Sequence, residues 1–213
     1  MSAPVVLFGA RGSMGQRYRA IFRYLGVPVV PVDIADGPIV WPLVWGEVRS
    51  SRGVVFATPT STHGPLMNQL VSADASRGWH VPILCEKPIA AAAGLVAMFL
   101  TGPNAILGPF AMMCQYQMLD DGLTEGVTRY DYFRSGQDGL AWDCISLLAL
   151  ARGDVVLLND APVWECVLNG RRLTLGDVER AYVDFVARWL REPEFQDRAW
   201  LVRAHEKAEA WRA

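Results

Sequence analysis

Three short clusters hold most of the chemistry this sequence can do. The first is Gly9-Ala10-Arg11-Gly12-Ser13-Met14-Gly15, directly after a short apolar run. Glycines at a strand-to-helix junction let backbone amides close on a pyrophosphate, whose charge then sits at the helix N-terminus. Ala10 stands at the first glycine of the usual G-x-G-x-x-G pattern, so a plain tight turn is the competing reading. Asp33 lies 33 − 15 = 18 residues beyond the last glycine, at the end of a second apolar run. A carboxylate there accepts hydrogen bonds from an adenosine ribose and repels a 2′-phosphate, which favours NAD over NADP. Arg11 pulls the other way, because a guanidinium can contact that phosphate.

The second and third clusters are Ala57-Thr58-Pro59-Thr60-Ser61-Thr62-His63 and Cys85-Glu86-Lys87-Pro88. Lys87 and Lys207 are the only lysines, against 20 − 2 = 18 arginines. Codon bias accounts for that ratio. A lysine kept in such a chain still points to an amine that arginine cannot imitate. A partly desolvated lysine can lose its proton near neutral pH. Hydride transfer from a C–OH needs a partner for the hydroxyl proton, and an amine beside a cofactor can be that partner. The plainer reading is that Lys87 only pairs with Glu86 or with cofactor oxygens. His63 has two readings as well, a contact with substrate or nicotinamide, or a capping and packing role.

The elements that must position these clusters alternate. Apolar runs at 4–9, 27–33, 53–57, 81–85 and 105–110 read as strands. Residues 16–25, 64–77 and 90–100 read as helices between them, while Pro38, Pro42 and Gly46 argue against a long helix over 34–52. Strands alternating with helices predict an α/β fold, a doubly wound parallel sheet that binds ligands at its carboxyl edge. The three clusters fall at that edge, after the first, third and fourth strands. The second half reads differently: strands near 127–133, 155–158, 164–168 and 171–174, with an Asn169-Gly170 hairpin turn. A short apolar helix over 140–152 and an amphipathic helix over 175–191 accompany them, the latter capped by Thr174 and Asp177 and followed by a last helix ending near Trp211. These predict a small α+β domain, an antiparallel sheet covered by helices. The expected division is 1–110 and 111–213.

The two later clusters, in order and suitably spaced, resemble the glucose–fructose oxidoreductase / inositol dehydrogenase (Gfo/Idh/MocA) family over about residues 4–110. The resemblance implies a Rossmann domain followed by an α/β domain with an open antiparallel sheet. It implies a nicotinamide dinucleotide, NAD with NADP possible, and a sugar, cyclitol or related carbonyl compound as substrate. Thr58, Pro59, Thr60, Thr62 and His63 would line the cofactor. Glu86 and Lys87 would lie beside the nicotinamide, Lys87 would assist proton transfer, and Pro88 would shape the turn.

The family's second domain carries a G-x-L-x-D-x-x-x-H-x-x-D-like motif, whose nearest match here is Gly139 to Leu150. Asp143 fits the first acid, either orienting substrate or bonding to backbone. Leu147 and Leu150 stand where the histidine and second acid would be, and leucine moves no proton. Family enzymes run well over 300 residues, so with 213 residues the second domain is expected to be cut down. Late tryptophans at 142, 164, 189, 200 and 211 supply apolar area for the core or for a homodimer through the small sheet.

Composition limits the alternatives. Hydrophobic residues make up 52% of the chain and charged residues 20%, the profile of a folded globular protein. A net charge of −2 argues against a broad basic surface for nucleic acid or anionic lipid. Cys85, Cys114, Cys144 and Cys166 are too far apart for a zinc motif and fit free thiols in a reducing, cytoplasmic setting. The sequence opens on a strand-like run rather than a signal peptide. Residues 88–119 carry no charge, but Thr101 to Asn104 and Gly108-Pro109 interrupt any membrane span. No metal site is expected. Three functions fit: an oxidoreductase using Lys87 with Glu86, a dinucleotide-binding sensor or accessory protein without catalysis, and a reductase of the dihydrodipicolinate reductase kind. The last has a similar glycine loop, but the sequence lacks its His-His-Lys segment.

Overall fold

The computed structural model describes residues 2–113, 129–134, 154–160, 165–168, 171–174 and 178–212. The first half is a five-stranded, fully parallel sheet in the order β2-β1-β3-β4-β5, from β1 (Val5–Phe8), β2 (Val29–Val32), β3 (Gly53–Phe56), β4 (Ile83–Cys85) and β5 (Phe110–Met112). Every residue of β1, β3, β4 and β5 is buried, as expected of strands covered on both faces. β2 contains Pro31, which can donate no ladder bond. The sheet accommodates it because β2 is an edge strand paired only with β1.

Register decides where the clusters go. Val32, Phe8, Phe56, Cys85 and Met112 lie in one row across the sheet. The next row continues the ladder: Gly9 donates to Val32 O, Ala57 to Phe8 O, Glu86 to Phe56 O and Met113 to Cys85 O, at 2.8–3.0 Å. All three sequence clusters therefore leave the sheet at one level. The chain leaves β1 toward β2 on one side and returns to β3 on the other. That reversal opens a crevice at the carboxyl ends of β1 and β3.

Helices α1 (Ser13–Tyr24), α2 (Trp41–Ser50), α3 (Thr60–Arg77) and α4 (Ala93–Thr101) connect the strands. α2 corrects the sequence reading of 34–52. Pro42 falls in its first turn, where a missing N–H costs nothing, and Gly46 stays exposed. α3 begins four residues earlier than expected. Pro65 lies inside it, past the first turn, where only one backbone bond is lost. β5 begins only at Phe110 rather than at Ala105, because Gly108 runs against His80 and Val81, leaving no strand until Pro109 has been passed.

The second sheet has the order β7-β6-β8-β9, from β6 (Arg129–Arg134), β7 (Asp154–Asp160), β8 (Glu165–Leu168) and β9 (Arg171–Thr174). It is mixed rather than purely antiparallel, since β6 and β7 run parallel while β6–β8 and β8–β9 are antiparallel. The 153 − 134 = 19 residues between β6 and β7 are enough for the crossover a parallel pair requires. The expected 140–152 helix, Asp143, Leu147, Leu150, Asp177, Cys114 and Cys144 lie outside the described residues.

Helices α5 (Val178–Arg191) and α6 (Arg198–Arg212) join the core of the first half. On α5, Ala181, Tyr182, Phe185, Val186 and Trp189 form the buried face. The Trp189 ring occupies the space that Gly53 leaves open, where a Cβ would stand 2.6 Å from it. Gln196 pairs with both backbone groups of Met112, accepting at 2.8 Å and donating at 3.0 Å. On α6, His205 Nε2 accepts the Ile89 amide at 3.1 Å and Nδ1 donates to Leu201 O at 2.8 Å. Glu209 accepts the Ala93 amide at 3.1 Å, in the first turn of α4. α6 thus fixes the segment immediately after Lys87-Pro88. No helix among the described residues is long and apolar enough to cross a membrane.

His205 makes stability depend on pH. Burial brings its imidazole from 6.5 down to about 4. The unfolded chain therefore takes the proton first, and stability falls as pH drops from about 6.5 and levels off near 4. The shift corresponds to about 3 kcal/mol. His63, also lowered by burial, adds to the same trend. Denaturant midpoints measured from pH 7 to 4 are expected to fall accordingly, and His205→Gln to flatten much of that fall.

Candidate functional site

The glycine loop is built on two close approaches and one opening. Gly9 has φ +76°, and a Cβ there would stand 2.7 Å from Ala57 O and 2.9 Å from Thr58 Cγ2. A side chain at Gly15 would fall on the Gly9 carbonyl and come within 2.7 Å of Ala10 Cα, so α1 starts tight against the loop. Gly12 differs, because its only neighbour is Gly9 O at 3.4 Å. It is the N-cap of α1, makes no side-chain cap bond, and no acid follows in the first turn. The amides of Ser13, Met14 and Gly15 thus begin a helix with no side-chain cap and no acid in its own first turn, a backbone arrangement suited to an anion. Ala10 is buried beneath the loop, and Arg11 and Ser13 are exposed.

Asp33 closes the same loop from β2. Its carboxylate accepts the Ala35 amide at 3.0 Å and the Arg11 amide at 2.8 Å. Those two bonds hold its pKa below the ordinary carboxylate range. The Arg11 guanidinium pairs with Asp36. The end of β2 therefore presents two carboxylates to one guanidinium.

The loops after β3 and β4 are tied together by His63, which is 1% exposed. Its ring nitrogens face Pro88 O and Thr58 O, each at 2.9 Å, with Cys85 Sγ 3.5 Å from Nδ1. Burial lowers its pKa, although the carbonyls of Pro88 and Thr58 act in the opposite sense. The neutral imidazole can donate to only one of those carbonyls, and it sits buried between the two loops. Thr62 spends its hydroxyl on Pro59 O at 2.7 Å, and Thr60 opens α3 beside the exposed Pro59. Thr58 Oγ1 is buried and has no hydrogen-bond partner among the described residues. It is an orphaned polar atom on a side chain whose methyl carbon Cγ2 lies toward Gly9.

Glu86 is buried, and its Oε1 accepts the Tyr18 hydroxyl of α1 at 2.7 Å. Burial first, and the Glu86 carboxylate second, push the Tyr18 phenol well up. Lys87 is half-buried, and its Nζ donates to the Tyr182 hydroxyl of α5 at 3.3 Å. The Lys87–Pro88 peptide is cis.

No protein-family profile matches the sequence, and no curated protein sequence does. Solved structures do match in three dimensions. The WlbA (WbpB) dehydrogenase from Thermus thermophilus, crystallised with NAD and UDP-GlcNAcA, aligns with a TM-score of 0.70 and 12% identity, over 100% of this chain and 95% of that one. A Gfo/Idh/MocA family oxidoreductase from Vibrio cholerae aligns at TM-score 0.69 and 13% identity, over 99% and 97%. The myo-inositol dehydrogenase of Corynebacterium glutamicum ATCC 13032 aligns at 0.66 and 15%, over 99% and 95%. The chain has the Gfo/Idh/MocA oxidoreductase fold.

Within that Gfo/Idh/MocA-like fold, the glycine loop, Asp33, Thr58 and the Glu86-Lys87 pair converge on one sheet edge. Sequence reasoning did not single out the hydroxyls of Tyr18 and Tyr182, which bond Glu86 and Lys87, or Arg17, whose guanidinium carbon lies 4.8 Å from the Tyr182 ring centroid. Both tyrosines read as apolar face positions of their helices. The available signal was their hydroxyls, since a buried phenol needs a polar partner. Among the described residues no His, Cys, Asp and Glu group could hold a metal.

Proposed function

We propose that the chain is an NAD-linked oxidoreductase of a sugar, cyclitol or related hydroxyl or carbonyl compound. The observation that carries this reading is the meeting, at one carboxyl edge of the parallel sheet, of an uncapped helix start, a ribose-type acid and a lysine. The residues present fit the cofactor: Gly12 to Gly15 amides toward the pyrophosphate, Asp33 toward the ribose, and the orphaned Thr58 Oγ1 toward the dinucleotide. The paired acids Asp33 and Asp36 favour NAD over NADP, with Arg11 turned to Asp36. Solved structures of this fold were crystallised with NAD, which supports the same choice. The bound nicotinamide supplies the hydride acceptor.

The chain's own part is proton handling and positioning. Lys87 Nζ takes the hydroxyl proton of the substrate as the carbonyl forms. Glu86, fixed by Tyr18, sets the charge beside that amine. His63 keeps the two loops in register and stays out of the reaction. In this reading residues 1–110 hold the cofactor, and 111–213 supply the substrate side and a homodimer contact through the small sheet, with Asp143 either orienting substrate or bonding to backbone. Enzymes of this fold named for UDP-N-acetylglucosamine and myo-inositol support a sugar-like substrate.

Incubation with NAD and a panel of cyclitols, sugars and nucleotide sugars tests the assignment. The expected result is substrate-dependent growth of reduced nicotinamide absorbance. Cofactor binding with no turnover across the panel would favour the second reading, a dinucleotide-binding accessory or sensor protein. Leu147 and Leu150, at the positions of the family's acid–base pair, are what favour that alternative.

A further inference from the structure

We propose that Tyr182, on α5, is a positioning residue that holds the Lys87 amine at the sheet edge and stays its hydrogen-bond partner in both protonation states. The inference rests on the reading of Lys87 as the proton-transfer group. Tyr182 is 3% exposed, so it cannot reach a substrate itself and acts through the lysine. Its hydroxyl lies 3.3 Å from Lys87 Nζ, and its ring centroid 5.5 Å from the same atom. A phenol both donates and accepts. The ammonium can donate to its oxygen, and the neutral amine can accept its O–H. One group therefore serves the lysine before and after it gives up a proton, without rearrangement of the loop.

The ring is itself anchored. The Arg17 guanidinium carbon of α1 stands 4.8 Å from the Tyr182 centroid, and Arg17 is paired at 2.7 Å with Glu179, one turn earlier on α5. Arg17 belongs to the helix that begins at the glycine loop. The contact thus links the amine, α5 and the cofactor-binding helix in one unit. Two cations share one aromatic ring, and each disfavours the other's charge. Titratable and charged groups on the elements packed here include Glu86 on the lysine's own loop, Arg17 and Tyr18 on α1, and Glu179 and Tyr182 on α5. Glu86 favours the ammonium, Arg17 the neutral amine, and the phenol accommodates either.

The lysine count makes a direct test possible. With only Lys87 and Lys207, amine labelling by acetic anhydride reports Lys87 against the exposed Lys207 in the same sample. In the wild type, Lys87 is expected to label several-fold more slowly than Lys207. Labelling at equal rates would overturn the proposal, whether or not any variant folds. Tyr182→Phe keeps the ring and removes only the hydroxyl. It is expected to speed Lys87 labelling several-fold and to lower kcat roughly 10–100-fold with KM unchanged. The melting shift with NAD should stay that of the wild type. Unchanged labelling and unchanged kcat in Tyr182→Phe would refute the positioning role. Should the wild type show no turnover, the oxidoreductase reading fails, while the labelling comparison still decides whether Tyr182 positions the amine.

Discussion

Replacing Lys87 with methionine is expected to lower turnover by roughly 10²–10⁴-fold while leaving NAD affinity close to that of the wild type. Methionine keeps an unbranched stem in the half-buried site and removes the amine. The cofactor contacts inferred for the glycine loop, Asp33 and Thr58 do not depend on that amine, so binding and chemistry should separate. Lys87→Arg sharpens the point. Arginine keeps the positive charge and can still lie against Tyr182, but it does not give up its proton near neutral pH. If Lys87 acts only as a charge, Lys87→Arg retains activity. If it moves a proton, both variants are inactive. Steady-state kinetics with calorimetric NAD titration read the two parts independently, and turnover within tenfold of wild type in Lys87→Met would refute the role.

Gly15→Ala is expected to abolish the stabilisation that NAD confers and to destabilise the fold by about 1–3 kcal/mol. Its Cβ would fall on the Gly9 carbonyl and within 2.7 Å of Ala10 Cα, and both are backbone. Backbone atoms cannot swing aside as a flexible side chain does. The first turn of α1 must move off the loop, taking the Ser13 and Met14 amides with it. Gly12→Ala is the control for the fold, because its Cβ would meet only Gly9 O at 3.4 Å. It should melt close to the wild type, yet weaken NAD binding because a methyl group stands in the opening where the pyrophosphate is proposed to lie. Melting curves of the two variants with and without NAD distinguish these outcomes. Equal NAD shifts in Gly15→Ala and the wild type would remove the glycine loop from the site.

Much of the first half was legible because its strands are short, apolar and punctuated. Val5–Phe8, Gly53–Phe56 and Ile83–Cys85 fall where the runs of buried-type residues predict them, and each ends at a chemical cluster. α2 was not legible, since Pro42 reads as a breaker until its place in a first turn is known. β5 was misplaced because an apolar run does not reveal the backbone of His80 and Val81 packed against Gly108. In the site, residue types carried Asp33 and Lys87. They could not carry Tyr182, whose contact with Lys87 spans 95 residues and depends on α5 packing into the first half rather than only covering the small sheet. The surroundings of His63, left open between ligand contact and packing, are two carbonyls whose positions depend on the strand register.

The central claim is that this sheet edge holds a nicotinamide dinucleotide, and thermal unfolding with NAD and with NADP tests it most directly. A ligand at 100 times its dissociation constant adds about 2.7 kcal/mol to folding stability. For a chain of this length that is about 5–10 °C in melting temperature. The account predicts such a rise with NAD and a smaller one with NADP, because it puts the ribose of the dinucleotide beside the Asp33 and Asp36 carboxylates, which would repel a 2′-phosphate. No rise with either dinucleotide would contradict it, and would leave the parallel sheet as a scaffold for some other ligand.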